Sequence, residues 1–145
     1  MRPILASLLA ALAAAALSLQ LAPPAAAQSA ADQAAIQRLI TSQIEAFRRD
    51  DGPEAFSYAS PGIRRMFGSA ETFMEMVRSG YQPVYRPRGF EFREIVETQG
   101  RTLQKVLVVG PDGKRVMALY TLEQQPDGSW RIAGCQLVAL PEEEA

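Results

Sequence analysis

Two apolar runs near the C-terminus, Arg115 to Leu122 and Trp130 to Val138, constrain the fold more than any other stretch, because Pro126-Asp127-Gly128-Ser129 lies between them. Pro126 presets its backbone angle, Asp127 bonds forward to the main chain and Gly128 accepts a positive φ, so the two runs read as a hairpin. Side chains alternate along a strand. Val116, Ala118, Tyr120 and Leu122 are expected on one face of the first arm, with Met117, Leu119 and Thr121 on the other. In the return arm Trp130, Ile132, Gly134, Gln136 and Val138 are expected on one side, with Arg131, Ala133, Cys135 and Leu137 opposite. Both faces are then mostly apolar, whereas a sheet with one wet face alternates apolar with polar. The pair needs a cover on each side, and the second cover points to a partner.

The same punctuation occurs 15 residues earlier in Gly110-Pro111-Asp112-Gly113, and Gln99-Gly100 marks another turn. Leu103 to Val109 is a continuous, largely β-branched run. Before it, Phe90, Phe92 and Val96 are expected on one face of a strand and Ile95 on the other. These segments form a meander of four antiparallel strands.

Helical spacing precedes the strands. Ile36, Leu39, Ile40, Ile44 and Phe47 form an apolar stripe, with Gln37, Arg38, Gln43, Glu45 and Arg48 off it. Asp50-Asp51-Gly52-Pro53 ends that helix, and Asp51 with Pro53 starts a second, which stops at Ser60-Pro61-Gly62. Phe73, Met74 and Val77 form the stripe of a third, Glu71 to Ser79, ended by Gly80. Tyr81 to Gly89 is too rich in proline for a central strand and too aromatic for an idle linker. Helices first and strands afterwards predict an α+β domain, three N-terminal helices packed on a curved four-stranded antiparallel meander.

Met1 to Ala27 differs from the rest. One early charge, Arg2, precedes an apolar run from Ile4 to Ala22, then Pro23-Pro24-Ala25-Ala26-Ala27-Gln28. This predicts a signal peptide over residues 1–27, cleaved after Ala27, and a periplasmic or secreted protein with no stable membrane association after removal. The competing reading is a retained anchor, since the run approaches the roughly 20 residues that a spanning helix needs. Residues 28–140 are expected to form one domain and residues 141–145 an acidic tail. Without Arg2, 14 basic residues face 16 acidic ones, a net charge of −2 that argues against nucleic acid as a partner. Cys135 has no second cysteine to pair with and reads as a small buried hydrophobe.

Phe67-Gly68-Ser69, Met76 to Tyr81, Pro83-Val84-Tyr85-Arg86, Ala118 to Leu122 and Asp127 to Cys135 carry a resemblance to the bacterial family known as domain of unknown function 4864. That family is similar, more distantly, to the nuclear transport factor 2-like or SnoaL-like superfamily. The resemblance implies a cone in which helices close over a bent antiparallel sheet. It leaves function open, since the superfamily includes isomerases, dehydratases, cyclases and members with no catalysis. The strand usual between its second and third helices has no counterpart in this sequence.

The chain has no histidine, which removes imidazole catalysis and most zinc, copper and haem sites. Its acidic clusters lack the alternating spacing of a calcium loop, and no motif calls for a cofactor. An isomerase or lyase would need a carboxylate base in an apolar pocket and a donor aimed at an oxyanion. Glu94 is the candidate base, being expected on the face of Phe90, Phe92 and Val96, with Tyr58, Tyr81 or Tyr120 as donor; the plainer expectation pairs Glu94 with an arginine at the sheet edge. Phe67, Tyr81, Tyr85, Arg86 and Trp130 are candidate ligand contacts, with Arg86 and Arg88 able to hold an anion at the cone's mouth. Two classes follow: a non-catalytic binding or assembly module, homodimeric through the outer sheet face and holding a small apolar or anionic ligand, or a small enzyme using Glu94 and a tyrosine.

Overall fold

A computed structural model describes residues 29–142. The expected signal peptide and the last three residues of the acidic tail lie outside that range. Helix α1 spans Ala30–Arg48, capped by Ser29, whose side chain accepts from the Asp32 amide. It starts before the first residue of the apolar stripe because Ser29 satisfies amides that the helix cannot. Asp50 follows it in the left-handed region at φ 53°, where Asp is better tolerated than most residues.

Four shorter helices follow: α2 (Gly52–Ser57), α3 (Pro61–Phe67), α4 (Ala70–Gly80) and α5 (Gln82–Tyr85). The short helices α3 and α5 add to the three expected from sequence. Both have proline in their first turn, where its missing N–H costs nothing. Ser60 caps α3 and Ser69 caps α4. No helix among the described residues is long and apolar enough to cross a membrane.

Strands β1 (Gly89–Thr98), β2 (Arg101–Val109), β3 (Arg115–Gln124) and β4 (Trp130–Ala139) form one antiparallel sheet in sequence order. Gln99 and Gly100, both at positive φ, make the first two-residue turn. The two Pro-Asp-Gly turns are alike: Asp112 and Asp127 each accept from the amide two residues on, and Gly113 and Gly128 take positive φ.

The helices cover one face of this sheet. Ile36, Ile40, Ile44 and Phe47 of α1 meet Val106, Val108, Ala118, Tyr120 and Ile132 in a single core. Between α2 and α3, Ala59 bridges Ile132 in parallel, with Ser60 N donating to Ile132 O at 2.8 Å and Ile132 N to Tyr58 O at 2.9 Å. That bridge stands where the sequence shows no strand, and it covers part of the β4 edge.

Two β-bulges change the expected faces. Phe92 pairs with Val106, but Ile95 pairs with Gln104, so β1 holds one extra residue. Phe90, Phe92 and Ile95 therefore share the covered face, while Glu94 and Val96 turn outward. In β4, Gly134 pairs with Thr121 and Ile132 with Leu122, leaving Ala133 as the extra residue. Trp130 and Ile132 thus share the covered face with Cys135 and Leu137, and the side chains of Gln136 and Val138 face away. Strict period-two alternation fails at each bulge because the added residue reverses every later side chain.

Candidate functional site

The sheet and helices flank an apolar cavity of about 360 Å³ that opens to the surface. Gln43 and Phe47 of α1 form one wall, and Ile63, Met66 and Phe67 of α3 with Phe73, Met76 and Val77 of α4 form a second. Tyr120, Ile132, Gly134 and Cys135 make the floor, Ala59 closes one edge, and Tyr81 with Val84 closes another. Met66 is 72% exposed, so the lining runs from the buried sheet to the surface. Phe67 and Phe73 meet edge to face at 5.7 Å between ring centres, which fixes the wall between α3 and α4.

The lining carries no Asp, Glu, Lys or Arg. Its polar groups are mostly engaged: Gln43 Nε2 donates to Ala55 O at 3.1 Å, and the Tyr81 hydroxyl donates to Cys135 O at 3.0 Å. Tyr120 is different. It is 1% exposed, and its hydroxyl has no hydrogen-bond partner of normal geometry. Burial raises its pKa well above the usual 10, and the adjacent Cys135 adds to the shift. Burial likewise pushes the Cys135 thiol up to about 12, opposed by its contact with the Tyr120 hydroxyl. Both groups are therefore neutral across the ordinary pH range.

Phe67, Tyr81 and Tyr120 come together at this cavity; the other candidates lie elsewhere. Glu94 stands outside on the uncovered face, its side chain 62% exposed and 3.0 Å from Lys105 Nζ. Its expected inward direction is corrected by the β1 bulge, and its partner is a lysine on β2 rather than an arginine. Its pKa is lowered by hydrogen bonding at its own backbone and to Lys105, the reverse of the shift a pocket base requires. Glutamine 104 occupies the inner side of that bulge instead. Gln104 is fully buried, and its Nε2 donates to Arg93 O at 2.8 Å and Lys105 O at 2.9 Å.

Tyr85 and Arg86 lie at the end of α1, outside the cavity lining. Arg86 stacks on the Tyr85 ring at 4.0 Å, donates to Asp50 Oδ2 at 2.9 Å and to the Phe47 carbonyl, and Tyr85 donates to Asp50 Oδ1. Those contacts occupy the guanidinium that the sequence offered to an anion. Arg88 packs by the Gly113 turn, the Tyr58 hydroxyl donates to Glu54 Oε1 at 2.8 Å, and Trp130 Nε1 donates to Asp32 Oδ1 at 3.2 Å. Among the described residues, no group of three or more Cys, Asp or Glu side chains is arranged to hold a metal ion.

Sequence reasoning missed Gln43, Ile63, Met66, Met76 and Cys135 as lining. Gln43 was legible: it lies at i+7 and i+3 from Ile36 and Ile40, on the buried stripe despite its polarity. Cys135 was not, because the β4 bulge decides its environment.

Helices roofing one face of an open antiparallel sheet, with a neutral apolar cavity between the layers, define a small α+β pocket protein. The chain belongs to the family Domain of unknown function (DUF4864), whose model matches residues 29–145. No curated protein and no solved structure matches it.

Proposed function

We propose that this protein is an exported, non-catalytic binding module that takes a small apolar molecule between its helices and its sheet. The observation that carries this is the cavity itself: about 360 Å³, walled by aliphatic, aromatic and thioether groups and free of ionised side chains. That volume lies in the range of small-molecule sites, roughly 300 to 1,000 Å³. At the ~30 Å³ that a water takes in the liquid, it holds about a dozen non-hydrogen atoms.

The assembly part of the reading rests on the uncovered face. Leu103, Leu107, Met117, Leu119 and Val138 point away from the helices, with charged residues such as Glu94 and Lys105 beside them. Strands of nine or ten residues give a face of roughly 600 Å² at ~4.8 Å between strands and ~3.3 Å per residue. That is near the lower end of what each member of a stable pair buries. A second copy is the occupant proposed, meeting the same face by two-fold symmetry.

Native mass spectrometry on protein purified from the expected periplasmic or culture fraction tests these together. A dimer mass with a releasable small-molecule adduct supports the reading. A bare monomer at high micromolar concentration, with no uptake of added apolar compounds, removes it. Ile63→Trp at the cavity wall should then abolish uptake while the fold survives.

A further inference from the structure

Resting on the reading that the cavity binds a ligand, we propose that the ligand is a neutral molecule with a hydrogen-bond acceptor at its buried end, a ketone, ester or amide oxygen on an apolar body, and that the Tyr120 hydroxyl donates to that oxygen. Tyr120 lies at the cavity floor in the middle of the sheet, paired across β2 with Gln104 and across β4 with Cys135. Its O–H is a strong donor with no oxygen or nitrogen acceptor of normal geometry, its one polar contact being the Cys135 sulfur. Neither neighbour satisfies it. Gln104 directs its amide nitrogen to the bulge carbonyls, and its own Oε1 is also unpartnered. Cys135 offers only a weak sulfur contact.

The other polar groups of the lining are engaged already, Tyr81 with Cys135 O and Gln43 with Ala55 O. Among the described residues, Tyr120 is thus the one side-chain hydroxyl or amide donor at this cavity without an oxygen or nitrogen partner. A carboxylate or phosphate ligand would enter a lining that holds no cation, and an unpaired charge in such surroundings is strongly disfavoured. A plain hydrocarbon would fill the space but leave the hydroxyl unsatisfied. The hydroxyl is closed from solvent, so a ligand that meets it must displace part of the cavity lining.

The test titrates the purified protein calorimetrically with three probes that share a phenyl and short alkyl body: 4-phenyl-2-butanone, butylbenzene and 4-phenylbutanoate. The ketone is expected to bind about tenfold more tightly than the hydrocarbon, in line with one recovered buried hydrogen bond, and the carboxylate most weakly. Tyr120→Phe should erase the ketone's advantage and leave butylbenzene binding unchanged. Should that variant fail to fold, the ring ¹³Cζ resonance of Tyr120 in the wild-type protein replaces it, shifting with the ketone and not with butylbenzene. If butylbenzene binds and the ketone binds no better, or if Tyr120→Phe weakens both alike, the hydrogen bond is refuted while the cavity reading stands. If none of the three binds, both fall.

Discussion

The most informative perturbation is a pair of identical chemical changes with opposite expected signs, Tyr120→Phe and Tyr81→Phe. Each removes one phenolic oxygen from a residue lining the same cavity. The Tyr120 hydroxyl is buried with no oxygen or nitrogen partner, only the weakly accepting Cys135 sulfur, and leaving such a group unsatisfied costs about 1–3 kcal/mol. Phenylalanine removes that cost, while the shape lost is a single oxygen atom. Ligand-free Tyr120→Phe should therefore be more stable by about 1 kcal/mol, which for a domain of this size raises Tm by roughly 4 °C. The Tyr81 hydroxyl donates to Cys135 O at 3.0 Å, so Tyr81→Phe should cost about 1 kcal/mol and lower Tm by a similar amount. Urea unfolding of protein refolded free of ligand gives both values, with m unchanged, since neither variant alters the surface exposed on unfolding. A fall in stability for Tyr120→Phe equal to that for Tyr81→Phe would refute the reasoning, because it would mean that the Tyr120 hydroxyl has a partner in solution.

The bulge in β1 gives a second contrast: Gln104→Leu removes the donor from Arg93 O and Lys105 O, partly offset by loss of the unpartnered Oε1, and should destabilise by about 1 kcal/mol in thermal unfolding, whereas Glu94→Gln on the exposed side should leave Tm unchanged. Cys135, with its pKa at about 12, holds roughly one thiolate in ten thousand at pH 8, so it should resist a thiol reagent in native protein and react promptly in denaturant. Asp50 is held below its ordinary 3.8, first by the Tyr85 hydroxyl and then, against desolvation, by Arg86 and Arg78. Its folded pKa lies below the unfolded one, so its contribution is full above about pH 4 and disappears as pH falls through the folded value. Asp50→Asn should accordingly flatten the acid limb of a stability profile measured from pH 5 to pH 2.

The back half of the chain was readable because its turns carry their own chemistry. Gln99-Gly100 and the two Pro-Asp-Gly sequences set where strands end whatever packs around them, and all three turns occur where the residues place them. Ser60 and Ser69 are local signals of the same kind for helix starts, although the short helices they and the prolines begin need the sheet beside them to persist.

The candidate site was legible only in part, and the difference lies in what fixes each residue. Phe67, Tyr81 and Tyr120 are aromatic residues beside local breaks or inside a regular strand, so their burial follows from pattern. Glu94 and Cys135 each follow a bulge, and a bulge leaves no mark in a run of strand-forming residues. Arg86 looked available because a sequence does not show that the end of α1, with Asp50 turned left-handed, arrives beside it.

The order of elements, the turns and the α+β class were thus determined by the sequence itself, through short-range preferences that act over a few residues. The tertiary structure alone decided which side of the sheet Glu94, Val96, Cys135 and Leu137 occupy, and so which groups meet at the cavity. The physical reason is that one inserted residue reverses a strand's alternation, and its position is selected by how two strands and the helices above them pack together, a long-range balance that no local pattern records.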